Sequence, residues 1–229
     1  MSVDYDIVVK GNNLRLDEGF LGLANLTLIH TDEGPMIFDV GHAVNREALV
    51  NGLERRGFKP SDIPRVFLSH LHYDHVNNID LFPYTTKVFV SRAEWNYAAA
   101  PNEEDPWVPW MIREQLEKYD IQFLDGGGEF QTGIRYFPAP GHTPGSYGLI
   151  LETEDKGTVV VAGDALKFPK EALKCQCDHA FHSAEIGTET IKHILTLGDR
   201  IIPGHFSELI RRDGNYVWDE PCELHLLIR

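Results

Sequence analysis

The chain is poor in three things that would each have suggested a class. It has only 3 cysteines in 229 residues, Cys175, Cys177 and Cys222. A small odd number cannot build a disulfide framework, so a reducing, cytoplasmic setting is expected. Positive charge is scarce: 21 Lys and Arg face 35 Asp and Glu, a formal net charge of −14. That balance argues against gripping phosphate backbones or an anionic membrane, so no nucleic-acid or membrane partner is expected. No apolar run approaches a membrane span, and Met1-Ser2-Val3-Asp4-Tyr5-Asp6 has neither the basic nor the apolar part of a signal peptide. Repeats, low-complexity tracts and long linkers are lacking too, so residues 1–229 are expected to form one domain. What the chain has in excess is histidine, 11 in all and clustered.

Short β-branched or apolar runs predict strands over 5–9, 26–30, 36–38, 66–68, 87–90, 134–137, 149–151, 159–162 and 200–202. Helices are expected over 46–56 after a capping Asn45, over 109–118 opening on Pro109, and over 184–197 between Ser183 and Gly198. Early hairpins followed by alternating strands and helices predict a layered α/β fold with mixed sheets. The stretch from Ala93 to Trp110, with Trp95, Tyr97, Trp107 and Trp110, reads as an irregular aromatic insertion near 93–118 with a helix at its end. Asp125-Gly126-Gly127-Gly128 reads as a hairpin turn, because no helix or Lys-Ser/Thr follows to make it a phosphate loop.

Chemistry concentrates where strands end. Val66-Phe67-Leu68 runs into Ser69-His70-Leu71-His72-Tyr73-Asp74-His75. His70 and His72, two apart in extended chain, point to one side, and a turn after them lets Asp74 and His75 face a second point a few Å away. Neutral imidazole and carboxylate suit zinc or a similar divalent metal. Three later strands repeat the arrangement, leading into Pro140-Gly141-His142-Thr143-Pro144-Gly145, Gly163-Asp164 and Pro203-Gly204-His205. Ligands at neighbouring strand ends converge in one crevice, where α/β sheets hold their sites. His142 or His205 alone would read as an ordinary hydrogen-bonded histidine; the joint pattern is what points to metal.

These pieces, His70-x-His72-x-Asp74-His75, Pro140-Gly141-His142-Thr143-Pro144-Gly145-Ser146, Ala162-Gly163-Asp164 and Pro203-Gly204-His205 in that order, resemble the metallo-β-lactamase superfamily. The resemblance spans from about Asp39-Val40-Gly41 to His205 and implies a four-layer αββα sandwich with metals at one edge between the sheets. It implies that His70, His72 and His142 bind a first metal, Asp74, His75 and His205 a second, and that Asp164 bridges them. An aspartate at 164, where the antibiotic-degrading branch has cysteine, is similar to the glyoxalase II, lactonase and phosphodiesterase side. Two divalent ions are expected, zinc first, with iron and manganese also suited to these donors.

The implied reaction is hydrolysis of a small ester, lactone or thioester by a metal-bridging hydroxide, with Asp74 as general base and proton shuttle. Asp39 falls where the family often places an acid that orients a ligand histidine; the plain alternative is an Asx-turn residue. Lys167 lies three residues after Asp164, the offset of the lysine that binds a substrate carboxylate in the lactam-hydrolysing branch, whereas the acyl-homoserine lactonase branch has tyrosine there. A solvated lysine is the competing reading. Phe20, within Gly19-Phe20-Leu21-Gly22, and Trp107 are candidate walls for the substrate, unless the aromatics merely pack the insertion onto the body. Cys175, Cys177, His179 and His182 match no familiar zinc spacing and are expected to form a loop. Other readings on the same fold are a phosphodiesterase or RNA-processing nuclease, disfavoured by the charge, and a one-iron persulfide dioxygenase, disfavoured by seven filled ligand positions. The expected partner is a small-molecule substrate, and the acidic surface leaves room for a homodimer.

Overall fold

The computed structural model describes residues 3–218, so Cys222 and the first two residues lie outside the described residues. The first half runs β1 (Asp4–Val9), a ribbon of β2 (Arg15–Leu16) and β3 (Gly19–Phe20), β4 (Leu26–His30), β5 (Met36–Phe38), α1 (Arg46–Glu54), β6 (Arg65–Phe67), α2 (Tyr73–Val76), β7 (Lys87–Ser91), α3 (Arg92–Tyr97), α4 (Ile112–Leu116) and β8 (Asp120–Leu124). The second runs β9 (Gly128–Gln131), β10 (Ile134–Pro138), β11 (Tyr147–Thr153), β12 (Gly157–Gly163), α5 (Pro169–Lys174), α6 (Ala184–Leu197), β13 (Arg200–Pro203), β14 (Leu209–Arg212) and β15 (Asn215–Val217).

Each half contributes one sheet. The first has the order β1-β4-β5-β6-β7-β8 and the second β15-β14-β13-β12-β11-β10-β9. Alternation along the strands explains the stacking. Ile29, Met36, Phe38 and Phe67 point inward to meet Leu149, Leu151, Val159 and Val161 of the other sheet. Their neighbours Leu28, Ile37 and Val66 point outward onto Leu49 and Leu53 of α1 and Trp95 of α3. On the far side Ile150, Val160 and Ile201 pack on Ile191 and Ile194 of α6. Strands buried on both faces read as continuous apolar runs, as these do. The result is the expected αββα sandwich.

Several local expectations need correcting. Asn45 does not cap α1: its side chain accepts the N–H of His42 and a bond from Asn78. The helix expected from Pro109 covers only Ile112–Leu116, after a turn in which the Ile112 N–H reaches the Pro109 carbonyl. The aromatic stretch starts with a helix, α3, as well as ending with one, because Ser91 caps it by accepting the Glu94 N–H. Asp125–Gly128 is no hairpin: β8 and β9 belong to different sheets, and the glycines carry the chain across. Among the described residues no helix is long and apolar enough to cross a membrane.

Candidate metal centre

The carboxyl ends of β5, β6, β10, β12 and β13 deliver Asp39, residues 69–75, His142, Asp164 and His205 to one edge of the sandwich. Hydrogen bonds sew the two sheets together there. The Tyr147 N–H donates to the Ser69 carbonyl at 2.9 Å, and Asn25 donates from its backbone to Gly204 and from its side chain to the Pro203 and Phe206 carbonyls. Gly163, at φ +51, lets β12 turn sharply into Asp164, and a Cβ there would press on Ser69.

The seven sequence-predicted ligand residues come together. His70, His72, His75, His142, Asp164 and His205 are buried, and Asp74 reaches toward solvent. Their atoms sort into groups: His70, His72 and His142; His70, His75 and Asp164; and Asp74, His75 and His205. The two oxygens of Asp164 face different ways. Oδ2 stands 3.3 Å from His142 Nε2 and 4.0 Å from His70 Nε2, while Oδ1 stands 3.3 Å from His205 Nε2 and 3.4 Å from His75 Nε2. Asp74 Oδ2 lies 3.2 Å from His205 Nε2.

Surrounding acceptors set which ring nitrogen carries the proton. Asp39 Oδ2 accepts from His75 Nδ1 at 2.7 Å. The Ser69 hydroxyl donates to the same Asp39 oxygen, so it accepts from His70 Nδ1 at 2.9 Å. His205 Nδ1 donates to the Asn12 carbonyl, and His72 Nε2 donates to Asp105. In its neutral form, each of these four rings therefore turns a lone pair inward. His70 Nε2, His75 Nε2 and Asp164 Oδ1 have no hydrogen-bond partner although buried. Buried polar atoms left without partners are costly, and a convergent set of lone pairs and carboxylates fits divalent cations.

The electrostatics agree. Burial and the neighbouring imidazoles of His75 and His72 push His70 well below the usual histidine range. Burial acts the same way on His142, with Lys167 adding to it. For His75 burial opposes protonation, but Asp164, Asp74 and Asp39 outweigh it and hold the ring well above its ordinary value. His205 is likewise lifted to about 9, burial being outweighed by Asp164 and Asp74. Both carboxylates stay below their ordinary range against the effect of burial, Asp74 through His75 and His205, Asp164 chiefly through Lys167 and His205. Negative charge here therefore recruits protons onto two imidazoles, the place a divalent ion would take.

A cleft of about 1110 Å³ opens over these residues. Phe20, Trp107 and Lys167 all line it, together with Tyr73, Phe168 and Phe181. The Phe20 ring meets Trp107 edge-on and also approaches His205. Lys167 Nζ lies 2.8 Å from Asp164 Oδ2. Trp110 points to solvent and Trp95 into the core, so of the four tryptophans only Trp107 is placed at this cleft among the described residues. His179 reaches the rim, but among the described residues no group suited to a metal includes Cys175, Cys177, His179 or His182. Cys177 is buried beside Gly187.

Sequence reasoning missed the supporting acids. Glu94 is buried and accepts from the Leu71 N–H, the Thr143 hydroxyl and the Gly145 N–H, joining the loops of His70–His75 and His142. Its spacing from Ser91 reads as a capping box, yet the side chain serves the neighbouring loops instead. Asp105 stands behind His72, and its only local signal is the rigid Asp105-Pro106 step.

A sequence model of the Metallo-beta-lactamase superfamily matches residues 19–205. An N-acyl homoserine lactonase from Bacillus sp is 31% identical over 190 residues, covering 73% of each chain. Metallo-beta-lactamase domain-containing protein 1 of Xenopus laevis is 30% identical over 184 residues, 79% of this chain and 70% of that one. Among solved structures, a quorum-quenching N-acyl homoserine lactone hydrolase superposes with a TM-score of 0.71 at 23% identity, covering 90% of this chain and 93% of the other. That likeness bears on the fold.

Proposed function

The chain belongs to the metallo-β-lactamase superfamily of metal-dependent hydrolases, and on that premise we propose that it opens a small lactone, or cleaves a related ester, at a centre of two divalent ions. The observation that carries the reading is the set of inward-facing ring nitrogens, four of the five rings fixed from behind, around a carboxylate whose two oxygens face two groups of imidazoles. His70, His72 and His142 would hold one ion, Asp74, His75 and His205 the other, and Asp164 both. Zinc suits these donors best, ahead of iron or manganese. When bound, such ions act as Lewis acids, acidifying water and polarising a carbonyl.

The chain's own residues do the rest. Asp74, whose side chain is more open to the cleft than that of Asp164, takes a proton from the attacking water. It returns that proton to the alkoxide oxygen released when the acyl C–O bond breaks, so the carboxylate ends as it began. Asp39 keeps His75 in the required tautomer and orientation. Lys167 holds Asp164 in place and presents positive charge to the carbonyl oxygen as it gains negative charge. Phe20, Trp107 and Phe181 exclude water and give the acyl part an apolar wall.

The test is metal analysis of the purified protein followed by turnover assays on lactones, thioesters and phosphodiesters. Two metals per chain with lactone or ester turnover is the expected result. One iron with oxygen uptake, or phosphodiester turnover alone, would overturn it.

A further inference from the structure

The irregular stretch between α3 and α4 reaches the site through one carboxylate. Asp105 is buried; its Oδ2 accepts from His72 Nε2 at 2.9 Å and from the Tyr97 hydroxyl at 2.6 Å. Its Oδ1 accepts the Trp107 N–H at 3.0 Å. The Trp107 carbonyl in turn takes the Tyr73 N–H, and the Trp107 ring stands edge-on to Phe20 and Tyr73 at the cleft wall. Asn102, from the same stretch, donates to the Phe181 carbonyl, and the Phe181 ring packs on both His72 and His142. One piece of chain thus backs His72 and presents the wall that faces the substrate.

The chemistry of the contact is directional. An ionised carboxylate only accepts, so His72 Nε2 carries the proton and Nδ1 keeps a lone pair, 3.1 Å from His142 Nε2. A buried carboxylate is costly unless its oxygens are bonded, and three donors bond this one. Two of the three belong to parts with separate duties, a ligand-type ring and a wall residue.

Resting on the metal-hydrolase reading above, we propose that Asp105 is a positioning residue with two outputs. It fixes the tautomer and ring plane of His72 for the metal, and through the Trp107 N–H it sets the wall against which the acyl part of the substrate lies. Metal affinity and acyl-chain selectivity are then properties of one structural piece, although Asp105 touches neither metal nor substrate.

Three substitutions separate the outputs. Asp105→Asn keeps an oxygen for the Trp107 N–H but turns an amide donor toward His72 and Tyr97. Asp105→Ala removes all three contacts, and Trp107→Ala removes only the wall. Zinc affinity is read by chelator competition, and selectivity by the KM ratio of a short-acyl and a long-acyl lactone. In Asp105→Asn, zinc binding should weaken about 10- to 100-fold with the KM ratio preserved. In Trp107→Ala the KM ratio should change about tenfold with zinc affinity preserved, and Asp105→Ala should show both changes. Should the Asp105 variants fail to fold, Tyr97→Phe, which loosens the same carboxylate from a half-buried position, should weaken zinc binding about threefold. Zinc affinities within about twofold of wild type in every folded variant at 105 and 97 would overturn the proposal, as would an unchanged KM ratio in Asp105→Ala. Wild-type protein that binds two metals and turns over lactones while the variants bind zinc alike would refute this inference alone. Wild-type protein that binds no divalent metal would refute the functional reading and this with it.

Discussion

A missing side chain at position 204 decides where the Asp164 carboxylate can stand. A Cβ on Gly204 would lie 2.0 Å from Asp164 Oδ1, so even alanine must displace the group that faces both sets of imidazoles. Gly204→Ala is expected to lower metal content and to cut turnover by about 100-fold, since a displacement of about 1 Å at reacting groups has that effect. Metal analysis and kinetics on protein with unchanged far-UV circular dichroism check it; full metal content with full turnover would show that the carboxylate is not needed there. Lys167 poses a separable question. Its amino group sits between Asp164 and the cleft, so Lys167→Met should reduce kcat/KM on the preferred lactone by about 10- to 100-fold with metal content retained. Unchanged kcat/KM would return Lys167 to a purely structural ion pair.

At the level of elements, the sequence was most readable where a buried strand breaks into a glycine turn. The strands leading to His70, Asp164 and His205 were visible because their buried apolar runs are uninterrupted, and β10, leading to His142, because Ile134, Tyr136 and Phe137 flank a single exposed Arg135 before the Pro-Gly turn. The strands β9, β14 and β15, at the two ends of the second sheet, were not, since Phe130, Ile210 and Tyr216 share their strands with exposed charged or polar residues. Asp105 and Glu94 were hidden for a different reason: their partners, His72 and Thr143, are 33 and 49 residues away in sequence, and no local pattern encodes such a contact. Helix α6 shows both cases. Its Ser183 cap and Gly198 end were legible, but its second duty was not. Gly141 lies so close to the helix that a Cβ on it would come within 2.2 Å of the Gly187 Cα, and Thr190 donates to the Pro140 carbonyl, so the helix braces the His142 turn. Ser183 Oγ accepts the Ile186 N–H. Ser183→Ala should therefore cost about 1 kcal/mol of stability in urea titration. No loss would mean that the first turn is held by the brace rather than by its cap.

For the molecule as a whole, charge and stability meet at the centre. The chain carries a formal −14, and two of its carboxylates, half-buried Asp74 and buried Asp164, lie within a ring of imidazoles and draw protons onto His75 and His205 when no cation is there. Ligands gathered from positions 70 to 205 are assembled only in the folded chain, so metal should bind the native state far more tightly than the unfolded one. Mass action then ties stability to free metal: once a site is mostly filled, each tenfold rise in free zinc adds about 1.4 kcal/mol per site. Two sites give roughly twice that, which for a chain of this size should raise Tm by on the order of 5–10 °C per decade of free zinc. Thermal unfolding in chelator-buffered zinc measures the slope directly. The two-ion centre requires the full slope, half of it would leave a single site, and a Tm indifferent to zinc would remove the metal centre from the account of this fold altogether.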